Sequence, residues 1–550
     1  MKARTTHQNL GFVLVGIVLL GFAIAYLWQG WSVISVACDE TGDYAANALQ
    51  VERALDFQET SGPYSRYKFR HPGPTLFYLR ALGETLLSPL GFSPFSAHLL
   101  TQFLLNLLFL GGILCIFARY FQSRLALLIT FFVFTWPLSM GVSEAWGNTW
   151  GPFVVVIPVV ASLVGAASFS AGSLGGLYLF FISSLVAVHT HVGTAQAIVP
   201  ALLLVIFATI KRYRFYSPKE QRYVLSASAL YLVFAFVPAL LNLLTYGEQG
   251  GFYRLVSFFL RRAGEHSTSE AIHFLVERFV APFGLELTSG QELSAVLILL
   301  LLTFIASDLS NFFARSARWL ILLVFLLGVV SVRRIDGELM PYLGYFYSGI
   351  SCLALALILA WFAQRIESYV LRKIAPLAWT VVLLCFTLVM SVLPVYLGVR
   401  AAANPLCNDR PTQWRALLAH QPNSVYVLTM GETGLRGSWD TALAFALQLK
   451  RDDISFCVPS RLRYLFGDQT SCASVFEKIP AGTHVRFLTL FRTKSLPKAS
   501  PLRQFPSVKG ITLVENAPIV WERWGRRWQA RWGETLHFPA HPESRSELVE

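Results

Sequence analysis

Eleven long apolar runs leave few folds open to this chain. They lie at 10–37, 99–118, 125–142, 151–169, 174–190, 194–210, 223–244, 291–307, 319–332, 341–362 and 377–398. A helix needs about 17–25 predominantly apolar residues to span a bilayer, and these runs are close to that length. Charged residues make up 14% of the chain and hydrophobic ones 54%, with a mean hydropathy of +0.52. Soluble domains carry about 25% charged residues, so a soluble core of 550 residues is excluded. The pattern predicts a polytopic α-helical membrane protein with eleven transmembrane helices. Lys2 and Arg4 precede the first run, which exceeds the roughly 7–15 apolar residues of a signal peptide. It reads as a retained first helix.

Basic residues orient the helices. With a cytoplasmic N-terminus, the inner connections hold Arg119, Arg124, Lys211, Arg212, Arg214, Lys219, Arg222, Arg315, Arg318, Arg365, Arg372 and Lys373. The short outer connections hold only Arg333 and Arg334. That asymmetry follows the positive-inside rule. It also accounts for the net charge of +13 without nucleic acid. The 151–190 stretch reads as two helices broken at Ser168-Phe-Ser-Ala-Gly-Ser-Leu-Gly-Gly. Three regions then lie outside: 38–97, 245–290 and the chain from 400. The expected organisation is a membrane domain at 1–399, including the outer loop 38–97, and an extracytoplasmic domain at 400–550. No Asn-X-Ser/Thr sequon occurs, which points to a bacterial inner membrane with the C-terminal domain periplasmic or extracellular.

Where the first helix ends, three carboxylates fall within five residues, in Asp39-Glu40-Thr41-Gly42-Asp43-Tyr44. Membrane insertion does not need them, because Lys and Arg set orientation. Two readings stay open. One is a helix cap with a solvated acidic turn. The other is a site holding general bases or hard metal ligands. Residues 43–57 place Ala45, Ala48, Leu49 and Leu55 among polar neighbours. They predict a short amphipathic helix lying in the membrane interface, capped by Asp39 or Thr41. Residues 70–78 read Arg70-His71-Pro72-Gly73-Pro74-Thr75-Leu76-Phe77-Tyr78, a helix break leading into an aromatic-apolar stretch.

This ordered pair of elements resembles the GT-C glycosyltransferases, in the branch of the protein mannosyltransferases and the aminoarabinose transferase of lipid A. There an Asp-Glu-X-X-Tyr element follows the first membrane helix, and a His-Pro-Pro or Lys-Pro-Pro element leads into Leu-Tyr-Tyr. Gly73 stands where many members have a second proline, which points to an uncharacterised bacterial branch. The resemblance implies a polyprenyl-phosphate sugar donor, an envelope acceptor and a site on the outer face. It makes Asp39 the catalytic carboxylate, with Glu40 beside it. Asp43, Tyr44, Arg70 and His71 become substrate-binding candidates.

The chemistry is sound on its own terms. Polyprenyl phosphate is a good anionic leaving group, so the remaining task is to deprotonate the acceptor hydroxyl, which a positioned carboxylate does. A single displacement inverts the anomeric centre. The leaving phosphate needs cations or helix N-termini. Arg333 and Arg334 break the positive-inside pattern. They either pair with Asp336 and Glu338 or clamp the donor phosphate. Arg70 and His71 are second candidates, and Arg261 and Arg262 third. His189 and His191, two residues apart, do not face one another on a helix. Hydrogen bonding of substrate by His191, or packing, is favoured over a metal. Asp39, Glu40 and Asp43 are able to hold a divalent cation, but the sequence does not require one. Trp146 and Trp150 read as an interfacial belt, with stacking on a sugar as the alternative. A transporter or flippase of lipid-linked saccharides is the alternative. It is disfavoured because no internal repeat is visible and charges cluster at helix ends.

From 400 the composition turns polar. Strands near Val425–Thr429, Ile454–Val458 and His484–Phe491 alternate with a helix over 439–450, which predicts a small α/β domain. Cys457–Cys472 is the expected disulfide of an oxidising compartment. Cys115, Cys352 and Cys385 read as small core residues. Trp521, Trp524, Trp528 and Trp532 recur among arginines, as a packed element or a stripe on anionic lipid.

Overall fold

The computed structural model describes residues 2–36, 40–142, 144–261, 264–284, 287–306, 311–370, 376–397, 424–430, 439–476, 484–492, 503–504 and 511–516. Each apolar run of the sequence lies in a helix. Among the described residues nine helices are long and apolar enough to cross a membrane: Gly11–Ile34, Pro94–Phe121, Arg124–Gly141, Gly151–Ser170, Val192–Phe215, Pro218–Gln249, Ser289–Ala306, Phe312–Arg333 and Pro341–Val370. The two remaining runs fall in the shorter apolar helices Leu174–Thr190 and Val381–Tyr396. The break expected within 151–190 is present. One helix ends at Ser170 and the next begins at Leu174, with Gly172 between them at φ 99°.

Contacts divide the chain into two units. One comprises Met1–Val36, Ser96–Leu240 and Phe259–Ala403; the other comprises Ala37–Phe95, Leu241–Phe258 and Asn404–Glu550. The segment after the first helix therefore groups with the C-terminal region, whereas composition alone groups it with the membrane helices.

The first unit is built around Val156–Ser170, a helix buried along its whole length. It meets Leu174–Thr190 through Gly165 and Gly176. A Cβ on Gly165 would lie 2.6 Å from the Phe180 nitrogen, and one on Gly176 would lie 2.6 Å from the Gly165 oxygen. Small residues let backbones approach this closely, which is how helices associate in lipid. The helix beginning at Pro218 is the opposite case. Leu225, Leu230, Phe234 and Phe236 stand exposed on it. Such a face suits lipid, since its backbone is satisfied within the helix. At another helix end Glu367 accepts from the Ser123 hydroxyl (2.5 Å), the Leu125 nitrogen (3.3 Å) and Trp379 Nε1 (3.2 Å). It places a carboxylate at the N-terminus of Arg124–Gly141, where the helix dipole favours it.

Two expectations change here. Trp146 is not a belt residue. It is fully buried, its ring edge-on to Phe22 at 5.0 Å, while Asn106 Nδ2 donates to the carbonyls of Ala145 and Trp146. Cys385 is exposed on its helix rather than in a core, although Cys352 is buried as expected.

The second unit contains a five-stranded sheet: β1 (Ser424–Met430), β2 (Phe456–Cys457), β3 (His484–Arg492), β4 (Arg503–Gln504) and β5 (Ile511–Asn516). The order is β2-β1-β3-β5-β4, with β1 parallel to β2 and β3, and β5 antiparallel to β3 and β4. The helix Trp439–Arg451 connects β1 to β2, as a parallel pair requires. The expected α/β region is thus present, and Cys457 and Cys472 are joined by a disulfide with Cα atoms 4.8 Å apart. The tryptophan stripe at 521–532 lies outside the described residues.

Residues Gly42–Leu55 form the expected helix, but not in the membrane interface. Ala45, Ala46, Ala48 and Leu49 pack in one protein core with Leu443, Ala446 and Leu447 of Trp439–Arg451, and with Tyr426, Leu465 and Phe466. Asn47, Gln50, Val51 and Arg53 are buried too. Four alanines make the helix thin enough for close packing, and the C-terminal region supplies its covering.

Candidate functional site

The motif residues begin at that helix. Thr41 is its N-cap residue in extended conformation, and Gly42 starts it at φ 56°, a left-handed backbone that favours glycine. A side chain there would also touch the Trp439 ring at 3.5 Å. Asp39, the leading catalytic candidate, lies outside the described residues. Its neighbour Glu40 is 3% exposed, and Arg451 Nη1 donates to it at 2.9 Å. Arg451 Nε donates to Glu52 at 2.8 Å, one turn from the helix end. Burial pulls the Arg451 guanidinium down, but Glu40 and Glu52 outweigh it and hold Arg451 above its ordinary value. Glu40 is therefore one arm of a buried ion pair. Asp43 accepts a hydrogen bond from the Tyr64 hydroxyl.

Tyr44 and Glu40 both bear on Arg80, a buried arginine of the helix Thr75–Leu87. Burial lowers Arg80 to about 9, against the pull of Tyr44 and Glu40. Sequence reading missed Arg80, although an arginine in the run Leu76-Phe-Tyr-Leu-Arg-Ala-Leu-Gly is a visible anomaly.

The second motif is held by a short antiparallel pairing. Gly62 N donates to the His71 carbonyl and His71 N to the Pro63 carbonyl, both at 2.9 Å, and Tyr64 bridges Arg70. His71 is buried with its ring edge-on to Phe69. Arg70 is fully buried beside Glu59, its Nη1 4.0 Å from Glu59 Oε1. Burial pushes the Glu59 carboxyl up, but Arg53, Arg70 and the Ser61 amide outweigh it and hold it below the usual range. Glu40, Asp43, Tyr44, Arg70 and His71 thus belong to one unit.

His191, Arg333 and Arg334 belong to the other unit. His191 closes the helix Leu174–Thr190, its amide donating to the Ala187 carbonyl at 2.9 Å. Arg333 and Arg334 are exposed at the end of Phe312–Arg333. The turn after them is tied to a second segment. His266 N donates to the Arg333 carbonyl, and the Gly337 amide donates to Glu265. Arg261 is exposed, and Arg262 lies outside the described residues. Among the described residues, no group of three or more His, Cys, Asp or Glu side chains is placed to hold a metal ion.

Comparison with solved structures finds this fold in ArnT from Cupriavidus metallidurans. The apo form matches with a TM-score of 0.52 at 14% identity, covering 92% of this chain and 99% of that one. The form bound to undecaprenyl phosphate matches with a TM-score of 0.53 at the same identity and coverage. No protein-family model matches the sequence, and no curated protein matches it significantly. At this identity the likeness is one of fold, and it runs nearly end to end in both chains.

Proposed function

We propose that this chain, a multi-pass membrane protein with the GT-C fold, is a glycosyltransferase that moves a sugar from a polyprenyl-phosphate donor to an envelope acceptor. The observation that carries the reading is the end-to-end likeness to ArnT, whose solved structure holds undecaprenyl phosphate. The Asp39-Glu40 pair after the first apolar helix supports it. The reading puts the protein in a bacterial inner membrane with a cytoplasmic N-terminus, as the Lys and Arg distribution favours. The chemistry would then act on the outer face.

In this reading Asp39 takes the proton of the acceptor hydroxyl as its oxygen attacks the anomeric carbon. The bond to the phosphate oxygen breaks, and the electron pair leaves with polyprenyl phosphate. Configuration inverts. Glu40 is the poorer base, because taking a proton would dissolve its buried pair with Arg451. Asp43, held by Tyr64, stands in the first turn of Gly42–Leu55, where a carboxylate suits the helix dipole. Arg333 and Arg334 are assigned to the donor phosphate, since guanidinium suits phosphate geometry.

The test is transfer by the purified full-length protein in proteoliposomes, with lipid-linked sugars as donors and product read by mass spectrometry. Asp39→Asn should lose transfer about 10²–10⁴-fold, the typical worth of a general base, with unchanged thermal unfolding. Full activity in that variant removes Asp39 from the mechanism. Movement of lipid-linked sugar across vesicles without transfer would favour a flippase.

A further inference from the structure

Behind the two motifs, the second unit encloses a charged cluster. Arg53, Glu59, Arg70, Arg463 and Asp468 are each at most 4% exposed. The carboxylates are already engaged. Glu59 accepts from Arg53 Nε (2.9 Å), the Thr60 amide (3.1 Å), the Ser61 amide (3.0 Å) and the Ser61 hydroxyl (3.0 Å). Asp468 accepts from Asn242 Nδ2 (3.0 Å) and the Gly251 amide (3.2 Å), with Arg463 Nε at 4.0 Å.

Arg70 is left over. Its Nε, Nη1 and Nη2 are all buried, and among the described residues no protein group accepts a hydrogen bond from any of them. The charges facing it are those of Glu59, Arg53 and Asp468, with the neutral Tyr246 beside them. Arg53 Nη2 also lacks an acceptor. The surrounding chain is shaped to seat these side chains. A Cβ on Gly251 would strike the Arg70 stem at 2.7 Å, and one on Gly467 would strike Arg53 Cζ at 2.6 Å.

Among the described residues the cluster sets three guanidiniums against two carboxylates, one positive charge in excess. A buried charge without a partner is strongly disfavoured, and so are buried donors without acceptors. A single small anion would satisfy both demands at once. We propose that this cluster is an internal anion site, in which Arg70 holds one monovalent inorganic anion of chloride size and Arg53 adds to the positive field. The single excess charge argues for a monovalent occupant, and the full burial of Arg70 argues for one without a tail. The occupant of this site would brace three segments of one unit, those carrying Arg53, Glu59 and Arg70, then Asn242 and Gly251, then Arg463 and Asp468.

The experiment uses the full-length protein in detergent. It is exchanged into sodium gluconate and titrated with sodium chloride at constant ionic strength, with the thermal midpoint as readout. The midpoint should rise and saturate, a hundredfold excess over Kd shifting the folding equilibrium about a hundredfold. Glu59→Gln, which removes a competing negative charge, should saturate at lower chloride. Arg70→Met should abolish the response. Crystals grown in bromide should show an anomalous peak at the Arg70 guanidinium, and this decides the matter where Arg70→Met does not accumulate. Equal midpoints in gluconate and chloride, with no bromide peak at Arg70, would overturn the proposal. So would a midpoint that rises with added polyprenyl phosphate but not with chloride, which would hand Arg70 to the carrier lipid.

Discussion

Glu59→Gln is the sharpest perturbation of the second unit. The substitution keeps the shape of the side chain and removes its charge. In the wild type the carboxylate is 2% exposed, pairs with Arg53 at 2.9 Å and lies 4.0 Å from Arg70. Breaking a buried pair from one side strands the other charge, at a cost of about 3–5 kcal/mol. The variant amide must also present an N–H where the carboxylate accepted from Arg53 or Ser61. For a region of this size 1 kcal/mol moves the midpoint roughly 2–4 °C, so a fall of roughly 10 °C is expected. Thermal unfolding in detergent at neutral pH, followed by tryptophan fluorescence, reads it directly. The double variant Arg53→Met, Glu59→Gln should lose less than the two single losses added, because the partners share one interaction. A pH series adds a sign test. The folded Glu59 carboxyl is held below its ordinary 4.5. Its stabilisation is therefore complete above that value and disappears as pH falls through the lower folded one. Glu59→Gln should lack this part of the acid limb. A variant melting within about 2 °C of wild type would refute the argument that this charge is structurally committed.

Three further perturbations probe the same unit. Arg451→Met strands Glu40 and Glu52; because Arg451 is partly exposed the expected loss is about 1–3 kcal/mol, seen as a lower midpoint. Dithiothreitol should lower the wild-type midpoint by the equivalent of about 3 kcal/mol, since Cys457 and Cys472 close a loop over 15 positions. The Cys457→Ser, Cys472→Ser variant should not respond to the reductant. Gly467→Ala should cost more than about 1 kcal/mol by denaturant unfolding, because φ is 119° and the new methyl would meet the Arg53 guanidinium.

What could be read from the sequence follows from the range of each signal. A membrane helix is specified by length and apolar composition alone, so all eleven runs appear as helices and even the turn at Ala171–Ser173 was visible. The helix Gly42–Leu55 was equally legible as a helix, but its surroundings were not. Ala45, Ala48 and Leu49 make an apolar stripe that suits lipid or protein equally, and the decision came from Trp439–Arg451, with Arg451 reaching Glu40 across 411 positions. Trp146 failed for the same reason: its place beside a loop suggested an interface, whereas Phe22 of the first helix encloses it. The site divides along this line too. The motifs located Glu40, Asp43, Arg70 and His71 without revealing which charges were already committed. Arg451 commits Glu40, Tyr64 commits Asp43, and Arg53 with Ser61 commits Glu59, through partners that no local spacing announces. A carboxylate inside an ion pair can act as a base only by giving that pair up, which is why the proposed base is Asp39 rather than Glu40. Arg70 reverses the case. Its nearest carboxylate is saturated by other donors, so a residue first read as one of several phosphate contacts becomes the group whose enclosure most needs a counter-charge.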